Sequence, residues 1–262
     1  MQAFDHPFAT LRYQWLDRQA PETVLLIHSL GTSLEIWQET IEALGPEVNV
    51  LSYDLPGHGL SEAPRQTGLL PAYAEQVAAL LDHCQVRRTT VVGLSIGGMI
   101  ALQLTLTTPQ RIQRLILSNT AARIGSQASW QERIEAVQAQ GLAAMAPGVM
   151  ERWLSLGYRQ AHPAATRLYE QMLQRSDQAG YLRACELLRE ADLRQEVAQI
   201  AVPTLCLGGT EDQGTPPATL EALAGQIPGA ELYLFPGAGH LPCIEQPAAF
   251  AEQVKRWMSR GR

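Results

Sequence analysis

One serine held between glycines, with an aspartate and a histidine far downstream, offers the clearest chemistry in this chain. Val91-Val-Gly93-Leu-Ser95-Ile-Gly97-Gly98 reads as a buried strand running straight into a G-x-S-x-G turn and then a helix. A nucleophile forced into so sharp a strand-to-helix turn needs glycine two residues to either side, where the backbone must pass closely. The helix starting after Ser95 would also point its amides and positive end at developing negative charge. The alternative is a glycine-rich structural turn with a bystander serine. A hydroxyl is a weak nucleophile until a base takes its proton, so the reading demands a histidine oriented by an acid. His240 fits, in Phe235-Pro-Gly-Ala-Gly-His240, and so does Asp212, in Gly208-Gly-Thr-Glu-Asp212, each on a loop just past a strand where side chains can converge. Glu211 is the rival acid. Asn119, after the preceding strand, is neutral and stabilises an imidazolium less well, so motif position favours Asp212. Ser95, Asp212 and His240 together predict acyl transfer through a covalent intermediate.

Such a reaction needs two N–H groups converging on one carbonyl oxygen. The expected donors are the backbone amides of Ile96 and of Leu30, the latter in His28-Ser-Leu-Gly-Thr32 after the strand Val24 to Ile27. His28 is expected to support that loop, and His58, in Asp54-Leu-Pro-Gly-His58-Gly-Leu-Ser61, to be structural. A metal reading would gather His28, Asp54, His58 and His240, but no paired-histidine or H-E-x-x-H spacing supports it, so no metal is expected. Gly57 and Gly59 open a dinucleotide-like spacing, yet Glu62 stands where its third glycine belongs, so no cofactor is expected. Lys255 is the only lysine, which nearly excludes P-loop and Schiff-base chemistry.

These residues need elements to hold them. Short apolar runs at Val24 to Ile27, Val48 to Tyr53, Thr90 to Gly93, Arg114 to Ser118, Thr204 to Gly208 and Glu231 to Phe235 predict strands, with Leu11, Tyr13 and Trp15 alternating in an opening antiparallel strand. Helical patterns at Ala72 to Cys84, Gly98 to Thr107 and a closing segment with Phe250, Val254, Trp257 and Met258 on one face alternate with them. The class is therefore α/β, a mostly parallel sheet flanked by helices. Residues 121–195 carry no convincing strand and show short helical patterns punctuated by Gly141, Pro147-Gly148, Pro163 and Gly180, predicting a helical lid on a core of 1–120 and 196–262. Its natural place is above the carboxyl ends of the strands.

A chain of 262 residues, 46% hydrophobic and 18% charged, suits one large core with an insertion rather than a disordered or coiled-coil chain. Its net charge of −6 has the wrong sign for a nucleic-acid binder. Residues 121–195 nevertheless hold nine arginines against eight acids, so the acid surplus belongs to the core and the lid is slightly basic. Cys84, Cys185, Cys206 and Cys243 show no metal or CxxC spacing, and the N-terminus has no basic-then-apolar leader. No stretch reaches the ~18 apolar residues of a membrane span. The expectation is a cytoplasmic protein with reduced thiols and no membrane partner.

Taken together, His28-Ser-Leu-Gly, Asp54-Leu-Pro-Gly-His-Gly-Leu-Ser61, Gly93-Leu-Ser-Ile-Gly97, Asp212 and Gly239-His240 resemble the α/β-hydrolase superfamily over essentially the whole chain. Within it, Ser118-Asn-Thr-Ala-Ala-Arg-Ile-Gly125, Trp130-Gln-Glu-Arg-Ile134 and Gly180-Tyr-Leu-Arg-Ala-Cys-Glu-Leu-Leu-Arg-Glu-Ala-Asp-Leu193 look most like 3-oxoadipate enol-lactonases. His28, where that family often has asparagine, and Glu211-Asp-Gln-Gly in the acid loop are departures. The resemblance implies an α/β-hydrolase fold with a helical lid, and hydrolysis of a small anionic lactone by a serine acyl-enzyme. A carboxylate-bearing substrate calls for a cation. Arg133, one helical turn after Trp130, would meet it, with Trp130 shaping the pocket. Alternatively, Trp130 is lid core and Arg133 a solvated charge. Rival functions are a broad carboxylesterase, a cofactor-free haloperoxidase or perhydrolase, and a non-catalytic ligand-binding member of the fold.

Overall fold

The computed structural model describes residues 1–260. Eight strands form one sheet: β1 Gln2–Phe4, β2 Leu11–Leu16, β3 Thr23–Ile27, β4 Asn49–Tyr53, β5 Thr89–Leu94, β6 Ile112–Ser118, β7 Thr204–Gly209 and β8 Glu231–Phe235. Their order is β1-β2-β4-β3-β5-β6-β7-β8. The β1–β2 and β2–β4 pairs are antiparallel and the remaining five parallel. The central strands are Val- and Leu-rich and buried along their whole length, as β5 is from Thr89 to Leu94. Such strands need cover on both faces, so they lack the polar alternation of an exposed sheet.

Ten α-helices accompany the sheet among the described residues: α1 Gln38–Leu44, α2 Leu70–His83, α3 Ile96–Thr107, α4 Gln127–Trp153, α5 Leu156–Ala161, α6 Pro163–Gln174, α7 Gln178–Glu190, α8 Pro217–Gln226, α9 Pro242–Glu245 and α10 Pro247–Ser259. Helix α3 is buried almost all round, with Ile96, Met99, Ile100, Leu102 and Leu104 among its enclosed residues, which suits the helix nearest the sheet centre. It packs on β5 and on α2, while α1 packs on α10. The closing helix α10 instead buries one face, Phe250, Ala251, Val254, Trp257 and Met258. Among the described residues, no helix is long and apolar enough to cross a membrane.

Between β6 and β7 the chain forms α4 to α7, and α4 packs against α6 and α7. Gly141 breaks α4 with φ 76° and ψ 166°. Two of the expected interruptions are not breaks. Helix α4 runs through Pro147, which is exposed, as is Ala143, whose carbonyl loses its amide partner to the proline and can turn to water. Gly180 lies inside α7, where a Cβ would stand 2.3 Å from the Cα of Gly57. That glycine permits helix α7 to touch the loop after β4 rather than ending a helix.

Candidate active site

The catalytic and amide-donor candidates sit where β3, β5, β7 or β8 ends, and Trp130 and Arg133 lie on α4. Ser95 follows β5 with φ 58° and ψ −118°, a conformation L-residues rarely adopt and one that persists only when its surroundings impose it. Those surroundings are specific. The Ser95 N–H donates to the Ser118 carbonyl at 2.9 Å, and the Thr120 hydroxyl donates to the Ser95 carbonyl at 2.7 Å. A Cβ at Gly93 would lie 2.3 Å from the Gly97 carbonyl oxygen, and one at Gly97 would lie 2.3 Å from that of Ile27. The two glycines of the G-x-S-x-G turn are thus required by backbone-to-backbone contact. Ile96 opens α3, so its N–H has no acceptor within the helix.

Asp212 and His240 meet across 28 residues of sequence. His240 Nδ1 lies 3.0 Å from Oδ1 and 2.9 Å from Oδ2 of Asp212. A carboxylate can only accept, so Nδ1 carries the proton and the Nε2 lone pair is left available. The same carboxylate accepts from Gly214 N–H at 2.7 Å, Thr215 N–H at 3.1 Å, the Thr215 hydroxyl at 2.7 Å and Asn119 Nδ2 at 2.8 Å. Burial alone would raise its pKa, but the positive charge available on His240 and the hydrogen bonds from His240, Asn119 and Thr215 outweigh it and hold the carboxyl at about 2. Glu211, the rival acid, is exposed. Asn119 was expected only as a neutral position. The structure makes it a donor to the acid, because its φ of 46° turns the side chain across the ends of β6 and β7, where it also reaches the Gly239 carbonyl at 3.3 Å.

His28 holds the loop of Leu30. Its Nε2 accepts the Leu55 N–H at 2.8 Å, which leaves the Nδ1 proton for the Ser29 carbonyl, also at 2.8 Å. Burial pushes its pKa down to about 4, so it stays neutral. His58, also brought to about 4 by burial and by the adjacent His28, hydrogen-bonds the Pro56 carbonyl at 3.0 Å. Neither lines the cavity described next. Among the described residues, no group of three His, Cys, Asp or Glu side chains could hold a metal ion.

A cavity of about 220 Å³ is lined by Ser95 and His240, by Ser29 and Leu30 from the loop after β3, by Gln213 to Thr215, and by the helices between β6 and β7. Those helices contribute Trp130, Arg133, Arg152, Trp153 and Tyr181. Trp130 is a fixed wall, since its indole N–H donates to the Ile124 carbonyl at 2.6 Å. Arg133 lines the cavity beside the buried Tyr181 and has no carboxylate partner among the described residues. Arg152 was missed by the sequence reading. It is exposed overall, yet partial burial and then the charge of Arg133 lower its pKa. It too lacks a carboxylate partner there. Nothing in the sequence pairs the two arginines, because the break at Gly141 interrupts the helical periodicity between them.

A buried serine at a strand-turn-helix junction, lining one cavity with the histidine of an Asp–His pair on a mostly parallel sheet, defines a hydrolase of the α/β class. The chain belongs to the alpha/beta hydrolase fold family, whose model matches residues 22–247. Within that class its similarity is to enol-lactonases. It is 33% identical to 3-oxoadipate enol-lactonase 2 of Acinetobacter baylyi over 95% of this chain and 93% of that one. It superposes on the crystal structure of the enol-lactonase from Burkholderia xenovorans LB400 with a TM-score of 0.92 and 34% identity, covering 96% of this chain and 97% of the other. It is also 30% identical to the pimeloyl-[acyl-carrier protein] methyl ester esterase of Pectobacterium atrosepticum, over 92% of this chain and 96% of that protein.

Proposed function

We propose that this hydrolase opens the lactone ring of 3-oxoadipate enol-lactone to give 3-oxoadipate, by a serine acyl-enzyme mechanism. His240 Nε2 takes the proton of the Ser95 hydroxyl as Oγ attacks the lactone carbonyl, while Asp212 holds the imidazole through Nδ1 and stabilises the imidazolium that forms. The Leu30 and Ile96 amides donate to the tetrahedral oxygen as it gains negative charge, and each such donor contributes ~3 kcal/mol to lowering the barrier. Collapse breaks the ring C–O bond and expels an enol oxygen, which takes the proton from His240. A water, deprotonated by His240, then attacks the acyl carbon and releases Ser95. Tautomerisation of the freed enol to the ketone makes the sequence effectively one-way.

The observation that carries the anionic part of this reading is the pair Arg133 and Arg152 on one cavity with no carboxylate partner of their own among the described residues. Two neighbouring guanidiniums, whose charges repel, are best satisfied by an anion entering the cavity. A carboxylate held there and a lactone carbonyl at Ser95 can belong to one small molecule. The similarity to named enol-lactonases supports the same substrate class. The test is loss of the enol-lactone chromophore on incubation with the enzyme, with Ser95→Ala as control. Full activity in that variant, or fast aryl-ester turnover beside negligible lactone turnover, overturns the assignment. The second outcome leaves the broad carboxylesterase that the esterase relative suggests.

A further inference from the structure

The loop carrying His240 is tied to the end of α4. The His240 N–H donates to the Trp153 carbonyl at 2.9 Å, and the Leu241 N–H reaches the same oxygen at 3.2 Å. Beside these bonds Glu245 turns its carboxylate back on both segments. Its Oε1 accepts from Gly239 N–H at 3.0 Å and from Ser155 N–H at 3.1 Å, and its Oε2 accepts the Ser155 hydroxyl at 2.6 Å. Glu245 ends α9, which is anchored in the core where the Thr40 hydroxyl of α1 donates to the Cys243 carbonyl at 3.1 Å. Ser155 in turn caps α5, accepting the Tyr158 N–H at 3.2 Å. One side chain therefore joins three pieces: the core, the histidine loop and the junction of α4 with α5.

Two further facts argue that this arrangement is a fastening rather than a chance contact. Burial raises the pKa of Glu245, and the bonds from Ser155 and Gly239 oppose that rise, with no cation paired to the carboxylate among the described residues. A half-buried charge without a counter-ion is costly, so three donors aimed at one carboxylate represent a committed local structure. The packing is also tight. A Cβ on Gly239 would stand 2.8 Å from Glu245 Oε1 and from Ser155 N, and 3.0 Å from the Trp153 carbonyl oxygen.

We propose that Glu245 is a positioning residue for His240: its carboxylate clasps the histidine loop to the α4–α5 junction, so that the base and the cavity wall at Arg152 and Trp153 are set as one unit. The inference rests on His240 being the base of the proposed reaction. Without the clasp, Asp212 still holds the ring and the Trp153 carbonyl still takes two backbone bonds, but Gly239 and Ser155 lose their shared acceptor and the loop has more room to shift relative to Ser95. A displacement on the order of 1 Å at a reacting group costs about 100-fold in rate.

The test uses the full chain and a neutral ester, para-nitrophenyl acetate, with competent sites counted by an organophosphonate that labels Ser95, so that kcat refers to folded enzyme. In Glu245→Ala, kcat per labelled site is expected to fall about 10- to 100-fold with KM within about 3-fold of the starting enzyme. Glu245→Gln keeps an oxygen for the two amides and is expected to recover to within about 5-fold, whereas Glu245→Asp, one methylene too short, is not. Ser155→Ala, which removes the hydroxyl bond to Glu245 together with the α5 cap on the Tyr158 N–H, should lose about 3-fold. A lower Tm with unchanged kcat per site, or a loss confined to KM, overturns the proposal. Should Glu245→Ala not fold, wild-type kcat per site in both Glu245→Asp and Ser155→Ala overturns it equally. Failure of the underlying reading shows itself separately, as hydrolysis that survives Ser95→Ala or His240→Ala in the unaltered clasp.

Discussion

Replacing Asn119 with aspartate would set a second carboxylate against Asp212, and the consequence can be worked from the geometry. Asn119 Nδ2 lies 2.8 Å from Asp212 Oδ2, and the Asn119 Oδ1 accepts the Ser118 hydroxyl at 2.9 Å. A protonated carboxyl in place of the amide can reproduce both bonds, its O–H standing in for the N–H. An ionised one cannot. Two like charges about 3 Å apart repel by roughly 5 kcal/mol at an effective dielectric constant near 20. That corresponds to about 4 pKa units, which moves the second ionisation of the pair from an ordinary value of about 3.9 to about 8. Because the folded variant keeps a proton that the unfolded chain releases above about pH 4, its stability falls as pH rises from about 4 to about 8 and is flat beyond. The total loss, roughly 5 kcal/mol, is a large share of the 5–15 kcal/mol typical of a whole protein. For a chain of this length it amounts to ~10–20 °C in Tm. Thermal melts of Asn119→Asp and the unaltered protein at half-unit pH steps test this, together with ester hydrolysis at each pH. Similar Tm and activity are expected near pH 4, diverging steadily towards pH 8. A Tm difference that stays constant across that range would refute the close pairing of the two side chains.

Other expectations follow from the same distances. Arg133→Ala and Arg152→Ala should each raise KM for the anionic enol-lactone about 10- to 100-fold, the worth of one charge-assisted hydrogen bond, while leaving neutral aryl esters almost untouched; equal losses on both substrates would remove the carboxylate clamp. His28 and His58, both held at about 4 by burial, bind a proton more readily unfolded than folded. Their contribution is therefore intact above about pH 6.5 and lost as pH falls from there towards 4, at roughly 3 kcal/mol per histidine. Replacing His58 with phenylalanine should flatten that part of the Tm–pH curve, and an unchanged slope would count against it. Gly97→Ala forces a Cβ to within 2.3 Å of the Ile27 carbonyl oxygen, and backbone displacement there should cost about 1–3 kcal/mol and most of the activity, seen together as a lower Tm and a lower kcat.

Local sequence carries information about groups that act through their neighbours in the chain. The G-x-S-x-G turn was legible because its glycines are demanded by contacts around one strand-turn-helix unit, and the parallel strands because complete burial writes itself as unbroken Val, Leu and Ile runs. Short elements were not. Strand β1 has three residues, and α1 has seven with no side-chain cap at its start, so neither contains enough periods to rise above loop composition. The expected breaks at Pro147 and Gly180 failed for a related reason, since exposure of Ala143 and the approach of Gly57 are properties of the folded surface rather than of the dipeptide.

The sequence by itself therefore determined the class of fold and the candidate nucleophile, base and acid, each readable from a strand and the loop that follows it. Only the tertiary structure decided what surrounds them. Asn119 becomes a donor to Asp212 because β6 and β7 end side by side, Arg152 joins Arg133 because α4 turns at Gly141, and Glu245 accepts from Gly239 nearby and from Ser155 across 90 residues of chain. Those partners lie at sequence separations that no periodicity encodes, since a hydrogen bond depends on a distance of about 3 Å in space and on no fixed spacing along the chain.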